Sequence, residues 1–391
     1  MKQATITLRD HLVAMRKWDK PYKALRKHLN KQPVGYPATL TGVERRLLKA
    51  MFTVDEARLA LYMDWQYKTA DTIFEKAGHA LQMSGEDVCN MLSVMEKNGA
   101  IAAREVDGTW EYALHPLVIG MYEMQLPKFT PTLYLDARKY MVPVFCIEYL
   151  SSAIPQTRVV PVEKSVTPEH NTATYDEIRN IIENADSDIC IAECICRKAK
   201  ASLGEPCKVT DRKEACLGLG DFGAQFLRNG SARKITKKEV MEHLDLCEKE
   251  GLVIQPSNEM NPEYYCFCCG CCCGILEMMR TVPRPVDFCA SNFYAVLDTS
   301  ACNGCGRCVK RCQMGAITIK DKKAVLNTSR CIGCGLCVTT CKTGSLQLVK
   351  KETETVPPGN MEAKFAAILA GKKGTMGKLA STVKGAWGFK P

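Results

Sequence analysis

Apolar and polar positions follow three rhythms along this 391-residue chain, and each predicts a different kind of element. Between 41 and 115 the period is first helical. "VERRLLKAMF" follows Thr41 and Glu44, which stand at capping-box spacing. "YKTADTIFEKAG" predicts a second helix, and "EDVCNMLSVMEKNG" a third that stops at Gly99. "AIAAREVDGTWEYAL" then changes to a period of two around Asp107-Gly108, a hairpin signal. The phrase returns later. Thr236 and Glu239 repeat the capping-box spacing, and "VMEHLDLCEKEGLVIQP" has the same helix-to-strand grammar as "VCNMLSVMEKNGAIAA". The turn "SNEMNPE" then leads into "YYCFCC", where a returning strand is expected. Between these regions Thr174 and Glu177 are expected to cap "YDEIRNIIENA", while 127–170 shows no clear period. The third rhythm is a repeat: "CNGCGRCVKRCQMGAITI" from Cys302 recurs 29 residues on as "CIGCGLCVTTCKTGSLQL" from Cys331.

Three helices and a hairpin in this order resemble a winged helix-turn-helix. The expected class is α+β, in five parts: a basic arm at 1–40, a winged-helix-like domain at 41–125, a cysteine-rich α+β module at 126–293, a repeat domain at 294–350, and an extended Lys/Gly-rich tail at 351–391.

Composition changes this picture in two ways. The net charge of +10 sits at the ends, with +7 in residues 1–40 and +5 in 350–391, leaving the middle slightly acidic. The basicity belongs to two arms and is no evidence for a basic DNA-binding core. No segment approaches the roughly 18–20 apolar residues of a membrane span, and the first residues lack a signal-peptide core. The chain is therefore expected in the cytoplasm, where thiols stay reduced. Its 23 cysteines then read as metal ligands rather than disulfides.

Cys302, Cys305, Cys308 and Cys312 follow C-x2-C-x2-C-x3-C, and so do Cys331, Cys334, Cys337 and Cys341. The run resembles the bacterial two-cluster ferredoxins. That resemblance implies two [4Fe–4S] cubanes with crossed ligation, one on Cys302, Cys305, Cys308 and Cys341 and the other on Cys331, Cys334, Cys337 and Cys312. A zinc ribbon is the alternative, but two four-cysteine runs lack its pair–spacer–pair layout. One departure stands out: ferredoxin runs often end in C-P, and here Gln313 and Lys342 follow the fourth cysteines.

A second constellation joins "CIAECICRKAKASLGEPCKVTDRKEAC" to "YYCFCCGCCCGIL". Adjacent Cα atoms lie about 3.8 Å apart, too close for an unstrained disulfide. If the second stretch is extended, Cys266, Cys268 and Cys272 point one way and Cys269, Cys271 and Cys273 the other. Neither set of three completes a four-thiolate site. Cys194, Cys196, Cys207 and Cys216 are the expected partners, giving one or two further iron–sulfur clusters. The pairing also resembles uncharacterised ferredoxin-fused proteins of anaerobes. Cys190 is the first of this group to set aside, and Cys89, Cys146, Cys247 and Cys289 read as buried packing.

"GLGDFG" (Gly218, Gly220, Gly223) fits G-x-G-x-x-G, but "DRKEACL" before it does not read as a strand, which argues against a dinucleotide site. The third helix, with Glu86, Asp87 and Glu96 against Lys97, is a poor match for phosphate. The expected function is an electron-transfer protein or subunit that passes single electrons to or from a partner oxidoreductase, with no catalytic residues of its own. Two alternatives are a redox-sensing transcriptional regulator and a catalytic metal centre within 190–273. In the tail, Met376, Leu379, Val383 and Trp387 recur at helical spacing and suggest docking on a partner.

Overall fold

The computed structural model describes residues 8–374 except 153, 168, 169, 171, 174 and 175, together with 377 and 380; side chains are described from residue 19 onward. The chain divides into two compact units, Met1–Glu148 and Tyr149–Pro391.

The first unit contains α1 (Leu8–Leu29), α2 (Val43–Met51), α3 (Val54–Leu59), β1 (Lys68–Thr69), α4 (Ala70–Leu81), α5 (Gly85–Lys97), β2 (Ile101–Val106), β3 (Thr109–Leu114) and α6 (Pro131–Tyr140); α7 (Cys146–Leu150) carries the chain across the division. The three helices and the hairpin read from the sequence fall at α2, α4, α5 and β2–β3. Asp107 and Gly108 both take positive φ at the hairpin tip, as a two-residue turn of this kind requires. A strand missed in the sequence, β1, adds to β3 and gives a three-stranded sheet in the order β1-β3-β2. Leu47, Leu48, Ile73, Val88, Leu92 and Ile101 form the core.

Several local expectations change here. Thr41 does not cap α2: its N-cap is Gly42, with no side-chain bond. Glu44 instead accepts the backbone N–H and hydroxyl of Thr39. The boxes that form are Thr53–Glu56 and Ser84–Asp87. The basic arm is largely helix α1, seated through buried Tyr22, Leu25 and Leu29. The unit also runs beyond 125, because Leu133, Tyr134, Ala137 and Tyr140 of α6 are buried and the Tyr140 hydroxyl donates to Pro37 O at 3.0 Å.

The second unit begins with α8 (Ile178–Glu183), β4 (Ile189–Glu193), α9 (Ile195–Ser202), β5 (Glu214–Gly218), α10 (Gly220–Arg228), β6 (Ala232–Ile235), α11 (Lys237–Glu250), β7 (Val253–Pro256), β8 (Tyr264–Cys268) and α12 (Gly274–Thr281). Its five strands pair antiparallel throughout, in the order β6-β4-β5-β8-β7. Thr236 and Glu239 form the capping box of α11, and β7 and β8 make the expected strand and return. Thr174 lies outside the described residues, and α8 starts after Glu177 with no side-chain cap.

"EACLG" is strand β5, contrary to the sequence reading, so G-x-G-x-x-G does join a strand to a helix. The parallel pairing of a dinucleotide fold is absent from β5, whose neighbours are both antiparallel. A Cβ on Gly223 would stand 2.7 Å from Gly218 C, so these glycines allow close helix–strand packing. The Glu263 carboxyl accepts Phe222 N–H at 3.2 Å, occupying a donor that a phosphate would need.

The chain continues through β9 (Phe293–Leu297), α13 (Arg307–Arg311), β10 (Ile317–Lys320), β11 (Lys323–Leu326), β12 (Leu346–Lys350) and α14 (Met361–Ala370). β9 pairs with β12 and β10 with β11. The tail is therefore not extended throughout: α14, capped by Asn360, packs on this unit, and Lys364 pairs with Glu259 at 3.3 Å with both side chains buried. Met376, Leu379, Val383 and Trp387 lie outside the described residues.

Removing one partner of a buried pair leaves the other charge unpaired. Lys364→Ala is expected to destabilise the protein by about 3–5 kcal/mol in urea unfolding, while Lys364→Met with Glu259→Leu recovers most of that loss. Equal loss in both would assign the effect to packing alone.

Candidate metal centres

The 29-residue repeat builds two similar loops. Cys302 Sγ accepts N–H bonds from Gly304 and Ala324, each at 3.4 Å. Its repeat mate Cys331 accepts from Ala295, the mate of Ala324, at the same distance. Ala316 N–H reaches Cys312 Sγ at 3.2 Å. At Cys302 the bonds from Ala324 and Gly304 hold the thiol below its usual pKa. Gly304 and Gly333 hold φ of 70° and 72°, and a Cβ on either would stand about 2 Å from a backbone carbonyl (2.0 Å from Lys322 O and 2.1 Å from Phe293 O), so both positions require glycine.

Cys302, Cys305, Cys308 and Cys341 line one cavity of about 110 Å³, together with Arg307 and Lys342. Cys312 lies within the electrostatic reach of Cys331, Cys334 and Cys337. The two sets differ in exposure. Cys305 faces solvent. Burial pushes the Cys334 thiol well up, and the next residue, Gly335, lies against Ser165. Burial also raises Cys341, but hydrogen bonds with the Ser345 and Thr343 hydroxyls bring it down to about 7.

The cysteine stretch divides differently from the alternating pattern. Strand β8 places Cys266 and Cys268 on one face, with Phe267 between them against the His243 ring. The strand ends at Cys268. A turn follows in which Cys272 N–H and Cys273 N–H both donate to Cys269 O, at 3.3 and 3.1 Å. That turn exchanges two thiols. Cys272 joins Cys269 and Cys271, and Cys273, at the N-cap of α12, joins Cys266 and Cys268.

Cys207 completes the first group, and the four sulfurs lie within 4.8 Å of one another. The second group has six thiols. Cys216 is the cross-strand partner of Cys266, and thiol–thiol hydrogen bonds link Cys216, Cys266, Cys268 and Cys273 in sequence. Cys194, the N-cap of α9, bonds Cys196, and both sense the others' charge. The Cys196 bond, opposed by burial and aided by Arg197 and backbone N–H groups, lowers Cys194 to about 6. Gln255 Nε2 donates to Cys273 Sγ at 3.7 Å.

Arg197, which the sequence reading passed over, lies between the groups. Its guanidinium is buried and donates to Arg212 O at 2.7 Å, to Phe267 O at 3.3 Å and toward Cys269 Sγ at 3.9 Å. Burial disfavours its charge, but Cys194, Cys269 and Cys207 outweigh that and hold its pKa above the usual value. A buried cation beside Cys194, Cys269 and Cys207 favours thiolate over thiol there, which is the state a metal selects.

Gln313, noted only as a departure from C-P, has a clear role. Its Oε1 accepts Gly270 N–H at 2.8 Å, and its Nε2 donates to Gly251 O at 2.9 Å. Proline could supply neither bond. The residue after Cys312 thus fastens the repeat loops to the cysteine turn.

The remaining cysteines are plainer. Cys190 is buried against Gly223 O at 3.5 Å, and Cys247 lies 3.2 Å from His243 Nε2. Burial raises Cys146 to about 11 and Cys289 to about 12. Cys89 is exposed, against the expectation of packing, because it falls on the outer face of α5.

Residues 301–345 match the family model of the 4Fe-4S dicluster domain. No curated protein and no solved structure matches the chain. The matched segment is a ferredoxin-like iron–sulfur segment. Among the described residues no helix is long and apolar enough to cross a membrane.

Gln313→Ala leaves a buried N–H and a buried carbonyl unpaired and is expected to cost about 1–3 kcal/mol in anaerobic urea unfolding. Its repeat mate Lys342 is exposed, and Lys342→Ala is expected to stay within about 0.5 kcal/mol.

Proposed function

We propose that this protein relays single electrons between a redox partner and metal centres in its second unit. The observation that carries the reading is the ferredoxin-like thiol set, with Cys302, Cys305, Cys308 and Cys341 around one cavity and Cys312 beside Cys331, Cys334 and Cys337. The donors fit the group: soft thiolates held by backbone N–H bonds, with space between them. Iron–sulfur clusters held there supply one-electron redox chemistry.

The chain's own residues give the relay a direction. The Cys302 set opens to solvent at Cys305, whereas the Cys331 set lies beside the middle module through Gln313 and Gly270. Six clustered thiols, three buried (Cys216, Cys268 and Cys273) and three half-buried (Cys194, Cys196 and Cys266), supply enough donors for a further cluster there. Residues 301–345 carry eight Lys/Arg and one Asp. Arg307, Lys310, Lys320, Lys322, Lys323 and Lys342 are exposed, which suits an acidic partner. A reducing compartment such as the cytoplasm is the setting that keeps the thiols available.

The first unit we read as a winged helix used for protein docking. Its order of helices and sheet supports the resemblance, and the exposed face of α5 (Glu86, Asp87, Asn90, Ser93, Lys97) offers little to a phosphate backbone. The regulator reading would gain from sub-micromolar DNA binding with a steep salt slope.

Anaerobically purified full-length protein is expected to hold at least about eight irons and as many acid-labile sulfides. Stoichiometric zinc without sulfide would sink the ferredoxin reading. Oxidation of the reduced protein by ferricyanide, an anion, is expected to slow with rising ionic strength and in Lys342→Glu, while a cationic oxidant shows the opposite trend. Identical salt responses for both oxidants would remove the acidic-partner argument.

A further inference from the structure

The separations within the four-thiol group are short. Cys207–Cys269 is 3.5 Å, Cys207–Cys271 3.7 Å, Cys269–Cys271 3.6 Å and Cys271–Cys272 3.7 Å. These lengths distinguish between two kinds of occupant. Four thiolates around one ion, at a metal–sulfur distance of about 2.3 Å, define a tetrahedron with edges of about 3.8 Å. The four thiolates of a cubane bind four different irons at separate corners and must stand farther apart. Sulfurs already in contact leave no room for a cube between them.

The same chain supplies the contrast. Cys302, Cys305, Cys308 and Cys341 surround a cavity of about 110 Å³, and among the described residues the ferredoxin thiols form no comparably compact group.

We propose that Cys207, Cys269, Cys271 and Cys272 bind a single thiophilic ion, zinc or iron, in tetrahedral coordination, and not an iron–sulfur cluster. The inference rests on reading the middle module as a thiolate metal module, and it assigns this part of the module one ion. Four thiolates on a divalent ion leave net negative charge. The surrounding groups match that charge: Val209 N–H points at Cys207 Sγ at 3.5 Å, and the buried Arg197 guanidinium reaches toward Cys269 Sγ. The ion would fasten the 203–213 loop, which leaves α9 and enters β5, to the turn that ends β8. It is a staple beside the six-thiol group, with its coordination filled by protein.

The test compares metal and sulfide counts in the anaerobically purified full chain with those in Cys207→Ser/Cys271→Ser. The variant is expected to lose one metal per chain and no acid-labile sulfide, with the iron–sulfur absorbance intact. Loss of zinc identifies a zinc site. Loss of iron, together with a high-spin ferric signal in the oxidised parent, identifies a single-iron site. Loss of about four irons with about four sulfides would show a cubane and overturn the proposal; so would no loss of metal. Should the variant fail to fold, the unmutated chain reads the same site: for zinc, absorption at the zinc edge is expected to show four sulfurs at about 2.3 Å, and for iron, whose edge the clusters share, a high-spin ferric signal of about one spin per chain is expected; nitrogen or oxygen in the zinc shell, or neither zinc nor that signal, would refute it. Failure of the ferredoxin reading looks different, because it removes sulfide from the parent while leaving the single-ion count in place.

Discussion

The end of strand β8 at Cys268 is the constraint on which the middle module depends. Had the strand continued, its side chains would have alternated to Cys273, putting Cys272 with Cys266 and Cys268. The turn closed on Cys269 O breaks that alternation after two cysteines. It folds Cys269, Cys271 and Cys272 toward the Cys207 loop and leaves Cys273 to begin α12. The same turn exposes Gly270 N–H to Gln313, so one local change of backbone direction divides the thiols and joins the repeat domain to them. Gly270 is the residue that permits this, since a Cβ there would stand 2.3 Å from Gln313 O.

A second constraint is electrostatic. Buried anions are costly unless they are paired or bound to metal, and this unit buries many potential thiolates. The means of compensation are distributed: N–H groups at the starts of α9 and α12, Arg197 between the thiol groups, and backbone N–H bonds in the repeat loops. None of these equals a metal ion in charge. Metal bound at the proposed sites would couple ligation to folding, because an unfolded chain has no preformed site. The apolar contacts alone have little reserve in the repeat domain, where Cys302, Cys308 and Cys337 themselves form part of the core with Ala295, Ile317, Ala324 and Leu346.

Local sequence patterns reported local structure well. The helices α2, α4, α5 and α11, both hairpin-like returns and the 29-residue repeat were legible because each depends on periodicity or on turn chemistry within a few residues. What was hidden depends on residues far apart. Nothing near Tyr140 announces Pro37, and nothing near Lys364 announces Glu259, so α6 and α14 were not read as parts of their cores. The two-way sorting of Cys266–Cys273 was anticipated, but its membership was not, since alternation was carried past the point where the strand stops. Arg197 had a signal in the phrase "CICR", though only its burial among thiols gives that arginine a purpose.

The repeat itself shows how two similar halves came to differ. Ala295 and Ala324, Ile317 and Leu346, and Gly304 and Gly333 occupy matched places in the two halves, so the halves share one way of holding thiolates. They differ at their edges. After Cys312 comes Gln313, buried and bonded to Gly251 and Gly270; after Cys341 comes Lys342, exposed at the mouth of the other cavity. Around Cys334 the chain from Val162 to Ser165 closes in, whereas Cys305 meets solvent. A symmetric pair of sites would exchange electrons with either neighbour equally. Here the substitutions at one repeat position give one half an inward attachment and the other a charged outer face, the asymmetry on which the proposed relay rests.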